Sequence, residues 1–208
     1  MSFRYSGGWL QTGGFNPLVA PTPSYQPYLY TWGRNTYGQL GLGNTTYYSS
    51  PKQVGALTSW IKISMGTGHI VAIKTDGTLW TWGYNGSGQL GLGNRTYYSS
   101  PKQVGALTNW SSIVAGDNST LAIKTDGTLW AWGYNSNGTL GLGNLTNYSS
   151  PKQIGALTNW SKIDKWDWMT GAIKTDGTLW SWGKNNLGQL GLGNTTYYSI
   201  PKQIGALT

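Results

Sequence analysis

The sequence predicts an all-β chain of repeated four-stranded antiparallel sheets, and three observations carry that prediction. Its 208 residues hold 32 Gly, 13 Trp and 14 Tyr with only 10% charged residues, a composition that suits aromatic strands separated by glycine turns. Trp32, Trp82, Trp132 and Trp182 follow one another at a spacing of 50 residues, as do Pro51, Pro101, Pro151 and Pro201, without an insertion. A fixed period of this length marks stacked repeat units. Asp76-Gly77, Asp126-Gly127 and Asp176-Gly177 each lie between the runs A-I-K-T and T-L-W, where Asp-Gly predicts a hairpin tip of type I′.

The elements follow in chain order. Residues 1–27 are an N-terminal segment whose Pro17 to Pro27 stretch reads as an extended connector, and residues 28–208 carry the repeats. Residues 28 to 57 supply the third and fourth strands of one unit. In the first full unit, Trp60 to Met65 reads as a first strand, Val71 to Thr75 as the second and Thr78 to Gly83 as the third. After a long Gly/Asn/Tyr/Ser loop, Lys102 to Gly105 reads as the fourth. The same order restarts at Trp110 and Trp160. The second and third strands lack clean apolar/polar alternation, as expected when both faces of a sheet are covered by neighbouring sheets. Four-stranded sheets stacked radially make a β-propeller. The predicted fold is therefore a propeller of four-stranded antiparallel blades of about 50 residues, three full blades plus one half blade.

The pattern W-G-x-N-x-x-G-Q-L-G-L-G-N, followed by S-P-K-Q-[VI], W-x-x-I and A-I-K-T-D-G-T, resembles the repeat of the regulator of chromosome condensation family over residues 28 to 208. The resemblance implies a propeller whose blades are these units. Family members usually close seven blades, and propellers in general have roughly 4–8. Three and a half blades leave sheet faces that need cover. In one solution, residues 1–27 complete the half blade, with Phe3 to Ser6 and Trp9 to Thr12 forming a hairpin around Gly7-Gly8. In the other, which is favoured, a homo-oligomer completes the ring.

Catalytic groups are scarce: the chain has one His, no Cys, six Asp and no Glu. A nucleophilic relay has only His69 to build on, with Asp117 in the matching loop of the next repeat. The family resemblance implies a His at this blade position with a packing role, and Ser119 and Met169 hold the place in the other repeats. Asp164 and Asp167 stand beside Lys162 and Lys165 and read as solvated ion pairs rather than a metal site. Gly86 to Gly91 matches G-x-G-x-x-G, but no helix signal follows. The Asn-x-Thr sequences at Asn44, Asn94, Asn144 and Asn194 read as turns. The expectation is a non-enzyme without cofactor or metal.

Formal charge is +8, yet most lysines recur once per repeat and so spread around the array instead of forming a stripe. No specific nucleic acid is expected as partner. The N-terminus has no apolar run that reads as a signal peptide, and no stretch approaches the ~18 apolar residues of a membrane span, so no membrane partner is expected either.

Function is sought where one repeat departs from the next. The loop between first and second strands reads Gly66-Thr67-Gly68-His69, then Gly116-Asp117-Asn118-Ser119, then Trp166-Asp167-Trp168-Met169. Two tryptophans in a loop of otherwise small residues either pack locally or are covered by a partner. Trp166, Asp167, Trp168 and Met169 are thus candidate partner-binding residues, with Trp9 and Phe15 added on the same reasoning. Trp80, Trp82, Trp130, Trp132, Trp180 and Trp182 recur at strand positions and read as core between blades.

These features point to a non-catalytic protein-interaction or structural scaffold. The segment M-S-F-R-Y-S-G-G, the Pro-rich connector and the near-identical repeats are also similar to tail-associated appendage proteins of marine bacteriophages, which implies a virion or cell-exterior location. A lectin-like glycan-binding propeller is the alternative. The family resemblance further implies guanine-nucleotide exchange on the small GTPase Ran and chromatin binding. That activity uses a seven-bladed ring with a protruding β-wedge, and every long loop here has the same length.

Overall fold

A computed structural model describes residues 8–11, 28–56, 59–166 and 168–205, all of whose regular elements are strands. A three-stranded sheet comprises β1 (Gly8–Gln11), β2 (Tyr28–Gly33) and β3 (Tyr48–Gln53) in that order. The first full blade is β4 (Trp60–Met65), β5 (His69–Lys74), β6 (Leu79–Gly83) and β7 (Tyr98–Gln103). The second is β8 (Trp110–Ala115), β9 (Ser119–Lys124), β10 (Leu129–Gly133) and β11 (Tyr148–Gln153). The third is β12 (Trp160–Trp166), β13 (Met169–Lys174), β14 (Leu179–Gly183) and β15 (Tyr198–Gln203). Every pairing is antiparallel between chain neighbours. The three full blades and the half blade are as the sequence predicts.

Two details differ from the sequence reading. The fourth strand starts at Tyr98 rather than Lys102, because Gly83 pairs with Tyr98 across a register shift after Thr81. This outermost strand is half-buried or exposed throughout, so it carries no apolar pattern to read. The Asp-Gly tips are also not type I′ turns. Gly77 has φ +76° while Asp76 does not enter the positive-φ region. Gly77 N–H donates to Lys74 C=O (2.9 Å) and Lys74 N–H to Thr78 C=O (3.1 Å), the three-residue type I turn with a glycine bulge. The threonine after Asp-Gly decides this: Asp76 Oδ1 accepts from both Thr78 N–H (2.9 Å) and Thr78 Oγ1 (2.6 Å), which holds the Asp76 backbone in the right-handed region.

In the half blade, β1 pairs with β2 from Gly8↔Thr31 to Gln11↔Tyr28 and so takes the position of a second strand. The N-terminal segment therefore supplies one strand at the place foreseen for Trp9 to Thr12; Phe3 to Ser6 lie outside the described residues.

The blades lock together through a repeated knob and socket. Trp82, Trp132 and Trp182 are fully buried, and each indole N–H donates to a carbonyl of the preceding blade, at Gln39, Gln89 and Thr139, over 2.8–3.0 Å. Each ring lies against a glycine, so a Cβ on Gly41, Gly91 or Gly141 would come within 2.8 Å of the indole nitrogen. Gly43, Gly93 and Gly143 N–H groups donate to Ser99, Ser149 and Ser199 carbonyls one blade on. The core is correspondingly split into clusters at the blade interfaces, one around Trp82, one around Trp132 and one around Trp182. Removing such a buried indole costs about 3–5 kcal/mol.

Trp80, Trp130 and Trp180 have a different place. They are half-buried and meet Trp60, Trp110 and Trp160 edge to face at 5.9–6.2 Å. A lysine ammonium caps each, with Lys124 and Lys174 Nζ 3.7 Å from the ring centroids of Trp130 and Trp180. Such a contact adds about 0.5–2 kcal/mol and explains why I-K-T-D keeps its lysine. Burial of Lys124 also lowers its pKa, opposed by Asp126.

Candidate functional site

Strand pairing assigns the loops to two edges of the array. Met65 pairs with Ile70, and Gly83 pairs with both His69 and Tyr98. The loop between first and second strands therefore lies beside the loop between third and fourth. The Asp-Gly hairpins lie at the opposite edge. Nearly all differences among the repeats fall in the first strand and at the first edge, whereas A-I-K-T-D-G-T-L-W is identical in all three full blades.

In the third blade this variable edge carries the candidate residues. Trp166 ends β12 opposite Met169 and leaves 77% of its surface exposed, and Trp168 leaves 40%. Local packing thus does not absorb Trp166. Trp168 is held from below: Lys184 N–H donates to its carbonyl (2.9 Å), and Lys184 Nζ lies 3.9 Å from its ring centroid. Met169 is half-buried in β13. Asp167 and Phe15 lie outside the described residues. Trp9 belongs to β1 in the half blade, a different sheet from that of the Trp166 loop, and its side chain lies outside the described residues.

Sequence reasoning missed two features of this edge. Lys184 is the x of W-G-x-N, which reads Arg34, Tyr84, Tyr134 and Lys184 across the repeats; that variation was the available signal. Tyr37, Tyr84 and Tyr97 form an aromatic cluster spanning the half blade and first blade, with centroids 4.8, 4.9 and 5.7 Å apart. Partial burial and the neighbouring Tyr84 hydroxyl push the Tyr97 phenol above its usual range. The cluster requires three positions 13 to 60 residues apart in the chain, which no local pattern joins.

The remaining motifs are structural. His69 is fully buried between the first and second blades, with Nε2 3.0 Å from Thr120 Oγ1. Thr120 Oγ1 donates its proton to Gln89 C=O (2.9 Å), so Nε2 carries the imidazole proton and Nδ1 is buried without a partner. Burial lowers the His69 pKa to about 4, with Asp117 opposing, and keeps the ring neutral. Asp117 itself accepts from Thr67 Oγ1 (2.6 Å) across the blades. Asp164 Oδ1 accepts from Lys165 N–H (2.8 Å). Among the described residues no three His, Cys, Asp or Glu side chains gather where a metal ion could sit. Within Gly86 to Gly91, Gly88 faces Ser149 and Gly91 faces Trp132, so those glycines admit the next blade. Asn44, Asn94, Asn144 and Asn194 each accept from the N–H two residues on (3.0 Å), the expected turn. Among the described residues no helix is long and apolar enough to cross a membrane.

Known proteins share this architecture. Human WBSCR16 is 26% identical with a TM-score of 0.73, over 86% of this chain and 48% of that one. Prp20p from Saccharomyces cerevisiae is 22% identical with a TM-score of 0.76, over 86% and 46%. The chain thus spans about half the length of these propellers. The family model for the regulator of chromosome condensation (RCC1) repeat matches residues 28–73, 76–123, 126–164 and 176–208, and a second model of the same repeat matches 60–89 and 110–139. With the matches covering most of the sequence and the strand order repeating in each, this chain belongs to the regulator of chromosome condensation repeat family.

Proposed function

We propose that this chain is a non-catalytic protein-interaction scaffold that uses its variable edge as the contact surface, with Trp166, Trp168 and Lys184 at its centre. The observation that carries this reading is the 77% exposure of Trp166 at a loop position that Gly66 and Gly116 hold in the other full blades. A tryptophan so placed contributes a few kcal/mol only when another surface covers it. Lys184 restricts Trp168 before any partner arrives, which reduces the ordering cost of association. Prp20p, whose solved structure is described together with binding to Gsp1p and histones, is a propeller relative with protein partners. A low share of charged residues and abundant Gly and Tyr support an assembly on a virion or cell exterior.

A second reading, glycan binding, draws on the Tyr37, Tyr84 and Tyr97 cluster, since aromatic faces also stack on sugars. Nucleotide exchange is disfavoured because the loops 34–47, 84–97, 134–147 and 184–197 are of equal length, so none of these four loops carries an insertion that could act as a wedge. The test is affinity capture from the source organism beside a glycan array, using the native chain and the Trp166→Ser/Trp168→Ser variant. Protein ligands retained by the native chain and lost by the variant support the scaffold. Unchanged protein capture refutes this surface, and array binding that the Trp166→Ser/Trp168→Ser variant keeps and a Tyr84→Ser variant loses favours the glycan reading.

A further inference from the structure

The joint between the first and second full blades holds a cavity of about 440 Å³ that neither blade fills. Val104, Leu107, Trp110, Trp130 and Pro151 give it an apolar wall, and Lys124 brings a cation to it. Every lining residue falls between Gly91 and Pro151. The half blade packs on the far side of the first blade and the third blade on the far side of the second, so the cavity belongs to an internal joint. Lys124 opens the Asp126-Gly127 turn, its carbonyl accepting from Gly127 N–H (3.0 Å), which sets the cavity toward the hairpin edge rather than the variable one.

Lys124 is 7% exposed, and its ammonium lies 3.7 Å from the Trp130 ring centroid and 5.0 Å from that of Trp110. Ring faces attract the charge but do not replace the acceptors that three N–H protons had in water. Among the described residues no hydrogen-bond acceptor or ion-pair partner meets this ammonium. Asp126, the carboxylate whose charge acts on it, has Oδ1 engaged by Thr128 N–H and Oγ1 and does not line the cavity. Desolvation lowers the Lys124 pKa, as expected of a charge whose hydration has no substitute. The Trp110 indole N–H is a second buried donor without an acceptor. Asn109 Oδ1, a buried acceptor without a donor, is not part of the lining.

Gln103 adds a third donor group. The amides of Gln53 and Gln153 donate to the carbonyls of Gly55 and Gly155 (3.0 Å), whereas among the described residues Gln103 makes no such bond to Gly105. At the joint between second and third blades the cavity is smaller, about 330 Å³, Lys174 is not part of its lining and Gln153 is tied. The first joint is therefore the one that combines room, a desolvated cation and a free amide.

We infer that this cavity binds an acidic and apolar peptide segment of a partner protein, with an Asp or Glu carboxylate on Lys124 and Gln103 and a neighbouring Leu or Phe side chain against Trp130 and Leu107. Charge complementarity selects the carboxylate: a buried ammonium gains most from an anion that also accepts its protons. The chain itself carries only six acids at a net charge of +8, which favours an occupant from elsewhere. The connector Gly105 to Thr108 beside the cavity is exposed along its length, so an extended ligand can continue over it, as a free small acid would not need to. This site is separate from the variable edge, and the inference does not depend on the reading given to that edge.

The test is fluorescence polarisation with two N-terminally labelled, C-terminally amidated peptides, Leu-Asp-Leu-Phe and its isostere Leu-Asn-Leu-Phe. The native chain is expected to bind the acidic peptide about tenfold more tightly than the amide one. Lys124→Met, which keeps an unbranched cover over Trp130 without the charge, is expected to abolish that preference. Leu107→Asp, at a position 49% exposed, is expected to weaken the acidic peptide by about tenfold through repulsion and lost apolar contact. The Trp166→Ser/Trp168→Ser variant should bind both peptides as the native chain does, and circular dichroism verifies that all variants are folded. Absence of binding overturns the inference, as does equal binding of the two peptides or binding that folded Lys124→Met and Leu107→Asp leave unchanged. Loss in the Trp166→Ser/Trp168→Ser variant would move the peptide to the other edge, and phenylacetate binding as tightly as the acidic peptide would mark a small-acid site instead; either result also overturns it.

Discussion

The two edges of each blade are built from one repeat yet treated oppositely by the sequence. At the hairpin edge, Asp76, Asp126 and Asp176 each bind the following threonine through N–H and Oγ1, with distances equal to within 0.1 Å. At the other edge the same strand ends carry glycine and histidine, then aspartate and serine, then two tryptophans. Positions whose side chains satisfy a turn or fill a joint have one good solution. Positions that project past the sheet have many, and there the blades diverge.

This contrast sorts substitutions by effect. The largest is expected for Trp132→Ala, which empties the seat over Gly91 and removes the bond to Gln89: a loss of about 3–5 kcal/mol, measured by urea unfolding, with partner capture by the folded fraction unchanged. Next comes pH. His69 has a folded pKa of about 4 against 6.5 unfolded, so the unfolded chain binds the proton first. Its contribution is complete above about pH 6.5 and declines as pH falls toward 4, by about 3 kcal/mol at 1.36 kcal/mol per unit. A His69→Gln variant should flatten that slope. The hairpin aspartates, held below their usual range chiefly by Thr78, Thr128 and Thr178, lose their contribution only as pH falls through those lower values, so the two windows separate in acid titration.

Smaller again is Thr128→Val, which leaves the Trp130 indole N–H without its 2.8 Å acceptor and should cost about 1–2 kcal/mol. Trp166→Ser should change unfolding free energy by no more than about 0.5 kcal/mol while abolishing partner capture. A large stability loss from Trp166→Ser, or lost capture from Thr128→Val in folded protein, would erase the distinction between the edges.

The fold was legible because its signals are local. Tryptophan spacing and Asp-Gly tips gave the blade, and three of four strands were readable to within two residues at their starts. The fourth was shortened because Tyr98, Ser99 and Ser100 are all half-buried and follow no apolar rhythm. The turn type was misassigned because Asp-Gly serves two hairpin geometries, and the threonine after it selects between them. Of the site, the Trp166 and Trp168 loop was readable as an exception among repeats. Lys184 and the tyrosine cluster were not, since their partners arrive from other strands and other blades.

Chain chemistry alone determined the repeat, the strand order within a blade and the positions of the turns, since each depends on residues a few places apart. Tertiary structure decided which face of each sheet is covered. Trp82 and Trp32 share the same local sequence environment, W-G-x-N, yet one is sealed by Gln39 and Gly41 and the other is half open. Leu129 and Leu179 differ in the same way. Burial is a property of what a neighbouring blade brings to the surface, and near-identical repeats acquire different roles only by their place in the array.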